Sequence, residues 1–473
     1  MKRIFAVILS LTLILCLTGC TAKPSSEAAS TDTGTEMTSS PTETVADSQT
    51  STEEVTASSS SEVTDSHPAE IPGEEIVSIP YSADFYDYES MAELLSQYGI
   101  IFGTKINSNT ESDYTLKSLI STHFDSVTAS NEMKAYTLLD QNASKKSEDG
   151  MPRMNFSKSD CIISVASETG TKIRGHVLVW DAHMCDWFFR KGYESSGDYV
   201  DADTLKKRLE SYIVQTITYY ETNYPGMVYC WDVVNEAIGD SSKDWDAGDA
   251  RHIRTSRDGK PNKFYDIIGK DYVELSFLYA RNTVDALKAK NPEVDIKLFY
   301  NDYSTFSANK RDAICALVDS INTYAKDAEG NYRRLVDGVG MQGYIGSSGK
   351  QTGCMRKIDI INIEKAILKF WEHGVESQIT EMAVRSYSNS PYDNLKHATY
   401  YADLMERLVD INSGEEKPLT GISVWGLVDA PDTTPKDYHY RQNGPYCGLF
   451  HESYEVKDSF HAVYEMLKTK EQN

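Results

Sequence analysis

The chain has 473 residues, with 71 Asp and Glu against 47 Lys and Arg, a formal net charge of −24. That balance leaves no basic face for phosphate contacts and excludes nucleic acid as an expected partner, while it suits a neutral or weakly charged substrate. No CxxC or HExxH spacing occurs, so neither a structural zinc nor a metal-dependent hydrolase is expected, and no cofactor is implied.

Taken in chain order, Lys2 and Arg3 precede an apolar run from Ile4 to Leu17, followed by small residues and Cys20. The run is too short to span a bilayer and has the flanks of a secretory signal. Leu17-Thr18-Gly19-Cys20 resembles a bacterial lipoprotein lipobox, which implies a signal over 1–20 and lipidation of Cys20. An ordinary signal peptide with an incidental cysteine is the alternative. Residues 21–78 are dominated by Ser, Thr, Glu and Ala. They lack the apolar surface that would offset their ordering entropy and read as a disordered tether. As a flexible coil of about 55 residues this segment spans roughly 40 Å. The expected location is extracellular, at the outer face of the cell membrane through the lipid anchor.

The remaining piece, 79–473, is rich in Tyr and Trp and alternates strand-like with helical runs. Strands are expected over 100–105, 126–129, 172–179, 228–234, 296–300, 338–342, 377–380 and 421–426. Between them helices are expected, among them 204–222, 272–290, 310–325, 361–372 and 394–411. Eight such alternations predict an α/β (β/α)8 TIM barrel. A doubly wound open sheet is the runner-up, and the Gly-rich phosphate turn it usually carries is missing. Long loops over 192–203, 241–264, 347–356 and 430–445 would rise on the C-terminal face and wall a cleft. Their aromatics Trp245, Tyr265, Tyr438 and Tyr440 suit sugar stacking. A single catalytic domain acting as a monomer is expected. Cys230 and Cys315 fall in apolar runs and read as buried thiols; Cys161, Cys185, Cys354 and Cys447 leave any disulfide pairing open.

Two of these strands end in carboxylates. Trp231-Asp232-Val233-Val234-Asn235-Glu236 carries an amide and then a Glu, and Gln378-Ile379-Thr380-Glu381 carries a second Glu. Polar residues at the C-terminal strand ends of a barrel face its active site. A carboxylic acid to protonate a leaving oxygen and a carboxylate to attack an anomeric carbon are what glycoside hydrolysis needs.

Further motifs accompany the two glutamates. Asn131-Glu132-Met133-Lys134 looks like ENEMK, and Arg174-Gly175-His176-Val177-Leu178-Val179-Trp180 like RGHTLVW. Trp231 to Ala237 matches WDVVNEA, and Tyr300-Asn301-Asp302-Tyr303 matches YNDYN. Asp337 to Gly343 matches DGIGMQG, and Val424-Trp425-Gly426 matches VWG. With these motifs in order over 80–470, the chain resembles glycoside hydrolase family 10, the retaining endo-β-1,4-xylanases. The resemblance implies Glu236 as acid/base, Glu381 as nucleophile and Asn235 on the sugar 2-hydroxyl. It implies that His176, Trp180, Gln342 and Trp425 line the sugar subsite on the non-reducing side, with Asn131 and Lys134 one sugar further out. His183, Tyr303 and Tyr344 complete the expected substrate-binding set, and xylan or xylo-oligosaccharides are the expected substrate.

The chain also departs from the family pattern. Ser130 stands where ENEMK opens with Glu, and Asp181 and His183 replace the His and Gln after LVW. Tyr344 replaces the His after GMQG, Ala383 the Asp two residues past the nucleophile, and Pro431 and Asp432 displace a second Trp. Residues 381 and 383 share a strand face. The Tyr344 and Ala383 changes therefore read as one coupled substitution, in which the Tyr344 hydroxyl donates directly to Glu381. Two rivals stay open on the sequence: a β-1,4-glucanase, and a weakly catalytic carbohydrate-binding surface protein.

Overall fold

Eight runs form parallel strands that pair edge to edge until the last meets the first. They are β1 (Ile101–Ile106), β2 (Ser126–Ala129), β3 (Lys172–Gly175), β4 (Val228–Asn235), β5 (Lys297–Tyr303), β6 (Gly338–Gln342), β7 (Glu376–Val384) and β8 (Leu419–Val424). Their burial on both faces is the mark of a closed parallel sheet covered by helices. This computed structural model describes residues 84–346, 355–386, 388–429 and 445–472. The signal, Cys20, the 21–78 segment, Cys354, Tyr438 and Tyr440 lie outside the described residues.

After each strand comes one long helix: α1 (Tyr114–His123), α2 (Asp160–Thr169), α3 (Ala202–Asn223), α4 (Tyr272–Lys290), α5 (Ala308–Asn322), α6 (Lys357–Glu372), α7 (Pro391–Ile411) and α8 (Asp458–Glu471). Sequence punctuation sets their starts. The Asp113, Asp201 and Ser390 side chains accept from Leu116, Thr204 and Asp393 amides, and Pro391 opens α7. On α3, Leu205, Leu209, Tyr212, Ile213, Ile217 and Tyr220 make one buried stripe against the barrel. The (β/α)8 barrel expected from the alternation is the observed fold. Among the described residues no helix is long and apolar enough to cross a membrane.

Several strand boundaries differ from the sequence reading, two of them with a clear pairing reason. The third strand ends at Gly175, and Val179 keeps only a single bridge to Val234. The seventh runs on to Val384 because a short extra strand, Tyr344–Ile345, pairs with Ala383 and Val384. That pairing brings positions 344 and 383 together. Inside the barrel, glycines make room for large groups. A Cβ on Gly175 would lie 2.4 Å from the Trp231 ring, and one on Gly340 would lie 2.3 Å from Asn301 Oδ1. Cys161, Cys185, Cys230 and Cys315 are free thiols, and Cys230 and Cys315 are buried.

Candidate active site

The ends of the strands bring the two glutamates onto one face of the barrel. Asn235 closes β4, and Glu236 follows it with φ 54°. This left-handed conformation is uncommon for a residue with a Cβ and turns the side chain off the strand direction. Its amide donates to the Asn301 carbonyl on β5 at 2.9 Å. On β7 the register against β8 shifts between Ile379 and Met382. Such an irregularity re-aims side chains, and Glu381 sits within it, buried.

A continuous run of side-chain hydrogen bonds joins the two carboxylates. Glu381 Oε1 accepts from Asn301 Nδ2 at 3.4 Å, and the same Nδ2 reaches Asn235 Oδ1 at 2.8 Å. Gln342 Nε2 bridges Asn235 Oδ1 at 3.4 Å and Glu236 Oε1 at 3.1 Å. Thr380 Oγ1 donates to Asn301 Oδ1 at 2.7 Å, fixing the central amide. With its oxygen doubly engaged, the Asn235 Nδ2 donor is buried and finds no partner among the described residues. A buried N–H without a partner is rare, and this one is available to a ligand hydroxyl. Trp180 Nε1 is in the same condition.

Tyr344 donates its hydroxyl hydrogen bond directly to Glu381 Oε2, the contact expected from the paired departures at 344 and 383. Burial pushes the Glu381 carboxyl above its ordinary range; the His176 ring and the Tyr344 bond pull it back in part, and Glu236 adds to the rise. Below this layer, His176 Nδ1 meets Asp232 Oδ2 at 2.9 Å. Arg174 engages both Asp232 oxygens, and its Nη1 reaches Gln378 Oε1 at 2.7 Å. Burial pushes Asp232 up, but Arg174 and His176 outweigh it and hold the carboxyl below the usual range. The buried Asp232 thereby sets the orientation of the His176 ring.

The other expected sugar contacts surround this centre. Trp180 and Trp425 face the His176 ring edge-on at 6.1 and 6.2 Å. The Lys134 ammonium lies 5.0 Å from the Trp180 ring centroid and donates to Asn131 Oδ1 at 3.1 Å. His183 packs on Trp180 at 4.1 Å and near Tyr136 at 5.4 Å. Burial, with Lys134, His176 and Arg257 nearby, lowers His183 to about 3, so this ring is neutral at physiological pH. Tyr303 stands at the edge of the group. Its hydroxyl donates to Asp240 Oδ2 at 2.5 Å and accepts from Arg254 Nη2 at 3.1 Å, under the Lys310 ammonium. Of the loop aromatics, Trp245 stacks on His252 at 4.2 Å, and the Tyr265 hydroxyl bonds Asp246.

Sequence reasoning missed Asn301, Asp232 and Arg257 as site residues. The first two lie inside quoted motifs, so their place in those motifs carried the signal. Arg257 lies on a hairpin, Ser256–Arg257 against Lys260–Pro261, turned by Asp258 and Gly259 with φ 50° and 72°. An Asp-Gly pair is a strong two-residue hairpin signal, although nothing in it says where the hairpin lands. Among the described residues, no group of His, Cys, Asp and Glu is placed to hold a metal ion. A centre of this kind can move a proton at one carboxylate and present the other to an electrophilic carbon.

This chain is similar to several known proteins. A putative endo-1,4-beta-xylanase of Caldicellulosiruptor saccharolyticus is 36% identical over 321 residues, 67% of this chain and 90% of that one. Endo-1,4-beta-xylanase Y of Acetivibrio thermocellus is 31% identical over 398 residues, which cover 81% of this chain; the chain spans 33% of that protein's length. Among solved structures, the N-terminal endo-1,4-beta-D-xylanase 10B of Clostridium thermocellum, complexed with xylohexaose, superposes with a TM-score of 0.66 at 28% identity, covering 82% of this chain and 68% of that one. Residues 90–466 match the model of Glycosyl hydrolase family 10, and with the barrel and the paired strand-end glutamates this chain belongs to that family of glycoside hydrolases.

Proposed function

We propose that this protein is an endo-β-1,4-xylanase acting with retention, exported and held at the outer face of the cell membrane by a lipid on Cys20. The observation that carries the reading is the hydrogen-bonded run from Glu381 through Asn301, Asn235 and Gln342 to Glu236. Glu381 attacks the anomeric carbon while Glu236 gives its proton to the departing glycosidic oxygen, leaving a glycosyl ester on Glu381. Water then attacks that carbon, gives its proton to Glu236 and frees Glu381. The unpartnered Asn235 Nδ2 donates to the 2-hydroxyl, a contact that tightens as positive charge grows on the sugar ring. His176, Trp180, Trp425 and Gln342 supply the inner sugar subsite, and Asn131 with Lys134 the next. His183, Tyr303 and Tyr344 complete the lining.

Support for xylan as substrate comes from the relatives, whose names give that activity, and from the xylohexaose bound to the similar barrel. The deciding assay runs xylan, carboxymethyl-cellulose and mannan side by side. Release of short xylo-oligosaccharides from xylan alone is the expected outcome. Preferential cleavage of carboxymethyl-cellulose would make the enzyme a glucanase, and no reducing sugar from any of them would leave a binding protein.

A further inference from the structure

Glu236 is gripped from outside the barrel as well as from within. Arg257 Nη1 donates to Glu236 Oε2 at 2.9 Å, while Gln342 Nε2 holds Oε1, so each oxygen has its own donor. The Glu236 carbonyl accepts from Arg257 Nη2 and from Arg254 Nε, both at 3.1 Å, which pins the left-handed backbone on two guanidinium groups. Arg257 in turn meets Asp181 through Nε at 3.1 Å and Nη2 at 2.9 Å, a two-pronged ion pair. The side chains of Arg257, Asp181 and Glu236 are 20%, 7% and 9% exposed, so solvent screens this trio little. Asp181 is one of the residues by which the chain departs from its family, and the hairpin bearing Arg257 puts the matching cation opposite it.

The charge balance gives the contact a purpose. The groups facing Glu236 are the carboxylates Glu381 and Asp302, the phenol Tyr303, and the cations Arg257 and Arg254. Asp302 is already paired to Lys310 at 2.7 Å, and Arg254 to Asp240 at 2.9 Å. Arg257 alone among these cations places a guanidinium nitrogen on a carboxylate oxygen of Glu236.

We propose that Arg257 is a positioning residue for Glu236, fixing the plane of its carboxyl group and stabilising the negative charge left there as its proton passes to the glycosidic oxygen, with Asp181 holding the guanidinium in place. The proposal rests on the reading of Glu236 as acid/base. It places the device on a surface hairpin, where no barrel motif would reveal it. The competing role is structural: Arg257 could merely fasten the hairpin to the barrel through Asp181.

Leaving-group dependence separates the two roles. A sugar leaving group needs a proton from Glu236, and 2,4-dinitrophenolate does not. In the full-length enzyme, kcat/KM is measured for xylohexaose and for 2,4-dinitrophenyl β-xylobioside in Arg257→Met, Arg257→Lys and Glu236→Gln, with melting temperature as the folding control. The expected result for Arg257→Met is a loss on xylohexaose at least about tenfold greater than the loss on the activated substrate. Its alkaline pH–rate limb should move to higher pH, and Arg257→Lys should recover part of both. Equal losses on the two substrates with an unmoved pH profile, or Lys no better than Met, would overturn the proposal in favour of the fastening role. Full xylohexaose turnover by Glu236→Gln would instead sink the acid/base assignment, whatever Arg257 does.

Discussion

Replacing Tyr344 by Phe keeps the ring and deletes one donor to a buried carboxylate. Glu381 then retains Asn301 Nδ2 at 3.4 Å on its other oxygen and loses its hydroxyl partner on Oε2. A hydrogen bond to a charged group contributes about 1.5–3 kcal/mol, and at about 1.36 kcal/mol per pH unit its loss corresponds to about 1–2 units. The sign follows from the role proposed for Glu381 as nucleophile. Glu381 must be ionised to attack, burial already pushes it upward, and Tyr344 opposes that push. The variant therefore holds its proton to higher pH, and the acidic limb of kcat/KM moves up by that amount. The assay is the pH dependence of kcat/KM on 2,4-dinitrophenyl β-xylobioside, whose glycosylation needs Glu381 but no acid. On the alkaline side of the new limb the rates should converge. An acidic limb unmoved from the parent's would refute the idea that the phenol tunes the nucleophile, leaving it a wall of the sugar subsite.

Other outcomes follow from the same geometry. Asn235→Ala should lower kcat/KM on xylo-oligosaccharides by about 10²–10³-fold with a smaller change in KM, because the contact strengthens toward the transition state. Gly340→Ala puts a Cβ 2.3 Å from Asn301 Oδ1; thermal unfolding should show about 1–3 kcal/mol of overpacking loss, together with reduced turnover. Glu381→Gln should abolish activity yet melt higher than the parent at neutral pH, by about 1–3 °C. The sign is set by the raised Glu381 carboxyl. The folded state there holds its proton more tightly than the unfolded chain, so the wild type loses stability as pH rises past the ordinary carboxylate range, and an amide does not. Deleting 21–78 should leave the melting temperature and turnover on short oligosaccharides unchanged; a fall of several degrees would show that the segment packs on the barrel.

The parts legible in the sequence were those with a local signature. Strand runs buried on both faces and the Asn235-Glu236 and Thr380-Glu381 strand ends announce themselves through a few adjacent residues. Even the Tyr344–Glu381 bond was readable, because two positions on neighbouring strands changed in complementary ways. The extent of β7 was not, since its last residues pair with a strand whose existence depends on tertiary placement. Arg257 was hidden for a related reason. Its Asp-Gly turn predicts a hairpin, but the landing of that hairpin on Glu236 is decided by Asp181, 76 residues earlier in the chain. Charge pairs between distant loops leave no period and no spacing to read.

The two-glutamate account stands most directly on the stereochemistry of the first product. Proton NMR of xylohexaose hydrolysis, recorded before mutarotation, reports the anomer formed at the cleaved end. A double displacement on Glu381 predicts the β-anomer first, with the two carboxyl groups about 5–5.5 Å apart in a crystal structure. Initial appearance of the α-anomer, with a separation beyond roughly 6.5 Å, would mean that water attacks directly and that Glu381 is not the nucleophile.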